Sequence, residues 1–270
     1  MVTFAPDLSS FLLSPSDLTA VATCEYGWLH DAVDPRLGRA SRPDQKDGFL
    51  ERVSALGDAH EARTLERLKA EHGPDGVVEL PRAAAHTPEA IADAVEASRR
   101  ALASGAPVVF QAMLHDGVFG GYADFLVREA DGAYEVVDTK LARHARVTAL
   151  LQIAAYADLL DGMGVPRARH GSLWLGDGTA HRVDLEEIIP VYRRQRARLE
   201  RRLRAHMDAG RPVAWDDDVA VCGQCAACEE AVAEHRDVLL TAGATRVQRT
   251  RLRKELSLIH ISEPTRRTPI

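Results

Sequence analysis

Between Gly120 and Tyr156 the chain reads GGYADFLVREADGAYEVVDTKLARHARVTALLQIAAY. Two strand-like runs, Tyr122 to Arg128 and Tyr134 to Leu141, flank the turn signal Ala130-Asp131-Gly132 and predict a hairpin. Side chains alternate faces along a strand, so Asp138 and Lys140 point one way, Val137 and Thr139 the other, and the hairpin can bring Asp124 beside the first pair. Two carboxylates and an ammonium on one sheet edge can hold a hard divalent ion and neutralise a phosphate or an attacking hydroxide. A helix-period segment from Arg146 to Leu160 follows, with Gln152 and Tyr156 on one face a turn apart. Taken alone, Asp-x-Lys is also an ordinary solvated pair on an edge strand.

The second set with metal-binding chemistry is made of thiols. Cys24, Cys222, Cys225 and Cys228 are all the cysteines of the chain. Three thiolates at C-x2-C-x2-C match the bacterial ferredoxin run, whose fourth ligand is remote, and Cys24 is the remote candidate. Zinc can use the same four thiolates, although its usual pattern is two separated C-x2-C pairs. Free thiols are the third reading. A secreted disulfide framework does not suit a chain of this size without a signal peptide.

These residues need elements to position them. Ser14-Pro15-Ser16-Asp17 predicts a helix start with Ser16 as cap, and Cys24 falls inside that helix. A polar loop from Asp34 to Asp47 precedes a long amphipathic helix from about Phe49 to His72, with Leu50, Val53, Leu56, Leu65 and Leu68 as its apolar stripe. Val77 to Leu80 reads as a short strand. Thr87 caps a helix that runs to about Ser104, with Pro88 in its first position. Val108 to Leu114 is a strand that turns at His115-Asp116-Gly117 into the one carrying Asp124. His170 to Leu175 and Thr179 to Val183 follow the Gln152 helix as strands, and one long helix from Asp184 to about Ala209 ends at Gly210.

The expected class is α/β, a mixed sheet flanked by helices with a C-terminal cysteine-rich helical segment. At 270 residues, 46% hydrophobic and 27% charged, the chain can bury one sizeable core or two modest ones. No apolar run reaches the length of a membrane span, and the N-terminus lacks a secretory signal, so the expected location is the cytoplasm. A net charge of −6 argues against a nucleic-acid-coated protein but leaves room for a local basic groove. The run RRQRARLERRLR from Arg193 to Arg204 suits either a phosphate track or a solvated helix face laced with Glu200.

The order of these motifs resembles the PD-(D/E)XK nuclease signature in its RecB-type form: a strand aspartate, Asp-x-Lys on the next strand, then Gln-xxx-Tyr on a helix. The αβββαβ order of predicted elements is similar to the restriction-endonuclease-like core. The resemblance implies a Mg²⁺- or Mn²⁺-dependent deoxyribonuclease of repair, recombination or defence, expected to act as an exonuclease on single-stranded DNA ends. It makes Asp124 and Asp138 metal ligands, Lys140 the catalytic lysine, and Gln152 with Tyr156 the branch-specific motif. RecB-type nucleases also carry a helical Gly-xx-His signature, which Gly57-xx-His60 matches, so His60 is expected to join the metal site. Adjacent Glu61 lies about 100 degrees around the helix, and His60 is the preferred of the two. Iron-sulfur nucleases of this type, the CRISPR-associated exonucleases among them, place one cysteine before the nuclease core and three after it. That arrangement implies a 4Fe-4S cluster on Cys24, Cys222, Cys225 and Cys228 that staples the two ends of the fold. The short spacing between the last two cysteines departs from several relatives. Two other classes stay open: an inactive DNA-binding module of a larger helicase-nuclease, and a zinc-stabilised structural domain.

The expected division is residues 1–48 for the N-terminal helix with its cysteine and loop, 49–183 for the nuclease core, 184–255 for the C-terminal helical and cluster-binding segment, and 256–270 for a non-native tail. The stretch Leu256 to Arg266 resembles the translation of a sequencing-library adapter, and residues from Thr241 to Leu252 resemble the start of a helical DNA-binding hairpin in larger RecB-like nucleases. In such proteins a further nuclease or helicase module can follow.

Overall fold

The computed structural model describes residues 2–5, 10–40, 48–83 and 87–262, with side chains described over 2–5, 10–40, 52–83 and 87–255. The expectations for 41–47 and 263–270 lie outside these residues, as do the side chains of 256–262 and that of Leu50 in the expected apolar stripe. A two-stranded ribbon, β1 (Thr3–Phe4) and β2 (Phe11–Leu12), leads to α1 (Pro15–Thr23) and α2 (Glu25–Trp28). Then come α3 (Gly48–His72), β3 (Val77–Glu79), α4 (Pro88–Ala103), β4 (Val108–His115), β5 (Gly120–Arg128), β6 (Tyr134–Lys140), α5 (Val147–Gly162), β7 (His170–Leu175) and β8 (Ala180–Asp184). The helices α6 (Leu185–Ala209), α7 (Ala226–Glu234) and α8 (Arg246–Ser262) follow. Among the described residues no helix is long and apolar enough to cross a membrane.

The main sheet runs β3-β4-β5-β6-β7-β8, with parallel pairs at β3/β4 and β6/β7 and antiparallel pairs elsewhere. Alternation along the strands splits its apolar residues between two layers. Val108, Phe125 and Val137 meet Leu65 and Leu68 of α3 on one face, while Val109, Leu126 and Val136 join the larger core with α4 and α5 on the other. Helix α5 is buried nearly all round, as its run of Ile153, Ala154, Ala155, Ala157 and Leu160 requires. Its small residues let it lie close to the sheet, and Gly171 of β7 leaves the space that Ile153 Cγ2 fills.

Three local expectations are corrected. Helix α1 is capped by Ser14 rather than Ser16: Pro15 takes the first helical position, and the Ser14 N–H and Oγ–H donate to Asp17 Oδ2 at 3.0 and 2.6 Å. Cys24 does not lie inside the first helix but in the extended break between α1 and α2, where its Sγ accepts from the N–H of Gly27 at 3.2 Å. On α3, Leu65 and Leu68 are buried, yet Val53 and Leu56 are 46% and 61% exposed, so the apolar stripe reaches the core only in the C-terminal half of that helix.

Helix α6 lies on α5, and most of its arginines are engaged. Arg193 pairs with Asp158 at 2.7 Å, Arg196 with Asp116 at 2.5 Å and Glu200 at 2.8 Å, and Arg202 with the buried Glu25 at 2.6 Å. The N-terminal segment is bound to the end of this helix by further polar contacts. His206 Nε2 and Asp34 Oδ1 are 2.6 Å apart and both buried, and Arg39 donates to the carbonyls of His206 and Met207 at 3.0 Å. These carbonyls belong to the last turn of α6, where Met207 also accepts from the Gly210 N–H at 3.1 Å.

Candidate active site and thiol cage

The ladder between β5 and β6 is regular from Arg128↔Tyr134 to Phe125↔Val137 and then opens. The next positions across the fork are Asp124 and Asp138. In place of a backbone bond, the N–H of Thr139 donates to Asp124 Oδ2 at 3.1 Å, and Thr139 Oγ1 lies 3.4 Å from the same oxygen. Beyond the fork, β6 continues against β7 alone, through Asp138↔Leu173 and Lys140↔Leu175. The structure therefore brings Asp124, Asp138 and Lys140 together as the hairpin geometry predicts.

Asp138 is buried, with its Oδ2 in a salt bridge 2.7 Å from the Lys140 ammonium. Burial, then the charge of Asp124, pushes its carboxyl up to about 7. Burial by itself would lower the Lys140 ammonium; the carboxylates of Asp138 and Asp124 outweigh it and hold the group above the usual lysine range. On α5, Gln152 and Tyr156 line one recess of about 290 Å³ with Arg82, Ser16 and Gly121. Tyr156 is buried, and its phenol is held neutral first by desolvation and then by the charges of Asp124 and Asp138.

His60 is half-buried on α3, and its Nε2 is buried with no hydrogen-bond partner. Its neighbour Glu61 turns toward the carboxylates: burial raises its pKa, and the next largest contribution is Asp124. Glu61 Oε1 accepts from Gln111 Nε2, and Gln111 Oε1 accepts from Arg82 Nε. Gln111 is buried, falls where the β4/β5 register skips from Phe110↔Phe125 to Ala112↔Ala123, and has a φ of 60°, a left-handed conformation that a non-glycine residue adopts at a cost. Sequence reasoning set Glu61 aside in favour of His60 and had no sign of Gln111 or Arg82.

The residues fit a divalent cation. Asp124 couples electrostatically to both Glu61 and Asp138 in a partly buried site whose lysine offsets one charge, and the buried Nε2 of His60 has no hydrogen-bond partner. An oxygen-rich, negatively charged set of this kind is the donor chemistry of Mg²⁺ or Mn²⁺.

The thiols form a separate cage. Sγ atoms of Cys24, Cys222, Cys225 and Cys228 all lie within 4.8 Å of one another, with Cys24–Cys228 at 3.5 Å and both Cys222–Cys228 and Cys24–Cys225 at 3.8 Å. Backbone N–H groups point at the sulfurs: Cys222 donates to Cys24 at 3.4 Å, and Gln224 and Cys225 donate to Cys222 at 3.4 and 3.2 Å. The Cys228 thiol and the N–H groups of Gly27 and Cys222 pull the Cys24 thiol down to about 5. Gly27 packs tightly here: a Cβ would stand 3.0 Å from Cys225 Sγ and press on the cage. Four soft donors with N–H support fit a thiophilic metal centre.

No curated protein matches the chain. A family model does: the PD-(D/E)XK nuclease superfamily model matches residues 12–229, a span that takes in the carboxylate fork, Lys140, the α5 motif and all four cysteines. With four fifths of its length matched and the mixed sheet in place, the chain belongs to the PD-(D/E)XK nuclease superfamily.

Proposed function

We propose that the chain is a RecB-type, Mg²⁺- or Mn²⁺-dependent deoxyribonuclease that cuts single-stranded DNA from free ends, with a thiolate-bound metal centre as a structural staple. Metal-dependent nuclease activity is what superfamily membership implies. What carries the assignment to this site is the fork of half-buried Asp124 and buried Asp138, closed by the Thr139 N–H and compensated by Lys140 Nζ at 2.7 Å from Asp138 Oδ2.

Asp124, Asp138 and the carbonyl of Thr139, with His60 or Glu61, are the groups that would hold the ion. When bound, Mg²⁺ or Mn²⁺ supplies Lewis-acid polarisation of the phosphate and acidifies water. Lys140 orients the attacking water and offsets the charge that builds on the phosphoryl oxygens. Gln152 and Tyr156 position the strand or the lysine from the opposite side, Tyr156 as a neutral phenol. Gln111 keeps the Glu61 carboxylate aimed at Asp124 and joins it to Arg82. The test is cleavage of end-labelled single- and double-stranded DNA with Mg²⁺ or Mn²⁺, beside Lys140→Ala. Cutting at the wild-type rate by both Asp138→Ala and Lys140→Ala removes this site from the chemistry.

For the staple, the resemblance to iron-sulfur nucleases supports a 4Fe-4S cluster. A second reading rests on one observation, the sulfur spacing: four thiolates roughly 2.3 Å from one zinc ion stand about 3.8 Å apart, whereas a cubane spreads its thiolates over separate irons. Protein purified without oxygen is brown and contains iron if the cluster is present, and is colourless with one zinc per chain if the second reading holds.

A further inference from the structure

The fork has one flank whose charge is unused by the chemistry above. Beside it, α3 and the β7–β8 turn enclose a cleft of about 530 Å³ lined by His60, Arg63, Arg67, Trp174, Leu175 and Gly176. Leu175 is the register partner of Lys140, so the cleft adjoins the lysine's end of β6. Arg63 and Arg67 are one helical turn apart on α3 and both exposed. The Arg67 guanidinium rests 4.5 Å from the ring centre of Trp174, which fixes its plane at the cleft.

The segment that follows Lys140 completes the rim. Residues 141–146 read LARHAR, and Arg143, His144 and Arg146 are exposed. The loop is locked to the cleft's far wall: Gly176 N–H donates to the Ala142 carbonyl at 3.3 Å, and a Cβ on Gly176 would stand 2.5 Å from the Leu141 carbonyl oxygen. Among the described residues Arg63, Arg143 and Arg146 take part in no ion pair, and Arg67 has only Glu71 at 3.8 Å on its own helix. The nearby Asp177 carboxylate is engaged by Thr179, through Oγ1 at 2.7 Å and N–H at 3.0 Å. Exposed arginines left unpaired beside a phosphoryl-transfer site, in a chain of net charge −6, are placed to receive phosphates rather than to hold the fold.

We infer that Arg63 and Arg67 with Arg143 and Arg146 form a phosphate track that grips the sugar-phosphate backbone of the DNA single strand next to the scissile bond. The track rests on the nuclease reading of the Asp124–Asp138–Lys140 site. It is a binding and positioning surface and takes no part in bond breaking, so its removal raises KM and lowers salt sensitivity with little change in kcat.

The experiment measures cleavage kinetics and, with Ca²⁺ in place of Mg²⁺, the binding of a fluorescein-labelled oligonucleotide over a range of salt. The variants are Arg63→Ala, Arg143→Ala, the combined Arg63→Ala/Arg67→Ala/Arg143→Ala, and Arg194→Ala on the exposed face of α6 as a control for net charge, each checked for an unchanged melting temperature. Every arginine that neutralises a phosphate should, when replaced by alanine, reduce the slope of log affinity against log salt by about 0.7, so the triple variant should have a slope shallower by about 2, or roughly a hundredfold of affinity between 1 M and 0.1 M salt. Arg194→Ala should keep the wild-type slope. If the triple variant binds with the wild-type slope and KM while the protein still cuts, the track is wrong and the nuclease reading stands. If the triple variant and Arg194→Ala lose slope equally, the effect is net charge and the track is wrong again. A wild-type protein that cuts nothing overturns the nuclease reading itself. Should Arg67→Ala alone unfold the chain, Arg63→Ala/Arg143→Ala, both at exposed positions, carries the test.

Discussion

The carboxylate fork and the thiol cage each gather metal-ligating groups from distant parts of the chain, but in opposite electrical conditions. At the fork, like charges crowd into a partly buried site, one imidazole nitrogen lacks a partner, and a buried glutamine takes a strained conformation to hold Glu61. At the cage, backbone N–H groups approach the sulfurs of Cys24 and Cys222, a glycine gives Cys225 room, and polar contacts such as Arg202–Glu25 and His206–Asp34 tie the N-terminal segment to α6. The elements that hold the cage, α2, α7 and the loop before α7, contribute nothing to the fork. Unbalanced, unsatisfied groups mark where free energy is held ready for a ligand in motion; satisfied ones mark where a ligand stays.

The comparison is broken most severely at the fork. Asp138→Ala, or chelation of divalent ions, should abolish cleavage while the variant keeps its fold and its affinity for oligonucleotide, measured by anisotropy; retained cutting would mean that the carboxylate row is structural. Lys140→Ala should slow cleavage by about 10² to 10³, the cost of roughly 3 to 4 kcal/mol when one preorganised electrostatic group is removed, with little change in KM. At the cage, Cys225→Ala should cost a few kcal/mol of stability, seen as a lower melting temperature and soluble yield, with kcat per folded molecule unchanged. A variant that loses its metal yet melts like the wild type would show that the ion pairs alone join the chain ends. The smallest effect is expected from Gln111→Gly, a fall in kcat on the order of tenfold through misplacement of Glu61, with a melting temperature close to the wild type because glycine relieves the positive-φ strain and offsets the missing side-chain bonds. An unchanged kcat there would remove Glu61 from the site.

Strand and helix positions were legible because period-2 and period-3.6 patterns and capping residues are local signals: Thr87 with Pro88 starts α4, and Gly210 ends α6, where expected. Asp124, Asp138 and Lys140 were legible for the same reason, since a hairpin places them by register alone. Gln111 and Arg82 were not, because their roles exist only once β4 and the segment after β3 meet α3 and no local pattern encodes that meeting. The arginines of α6 illustrate the limit from the other side. Their spacing suits phosphates and carboxylates equally, and only the partners, Asp158, Asp116, Glu200 and Glu25, reveal how they are used. Val53 and Leu56 fit an apolar stripe by period but lie beyond the reach of the sheet.

The amide that closes the fork gives the site a reporter of its own. Because the Thr139 N–H donates to the carboxylate of Asp124 and not to a main-chain carbonyl of β5, its protection against hydrogen exchange depends on that side chain, whereas the neighbouring amides of β6 within the ladder open only with the sheet. A single backbone proton therefore reads the occupancy and ionisation of the carboxylate: one amide in the middle of the sheet would exchange in step with the cation, while its neighbours a residue or two away would keep the pace of global unfolding.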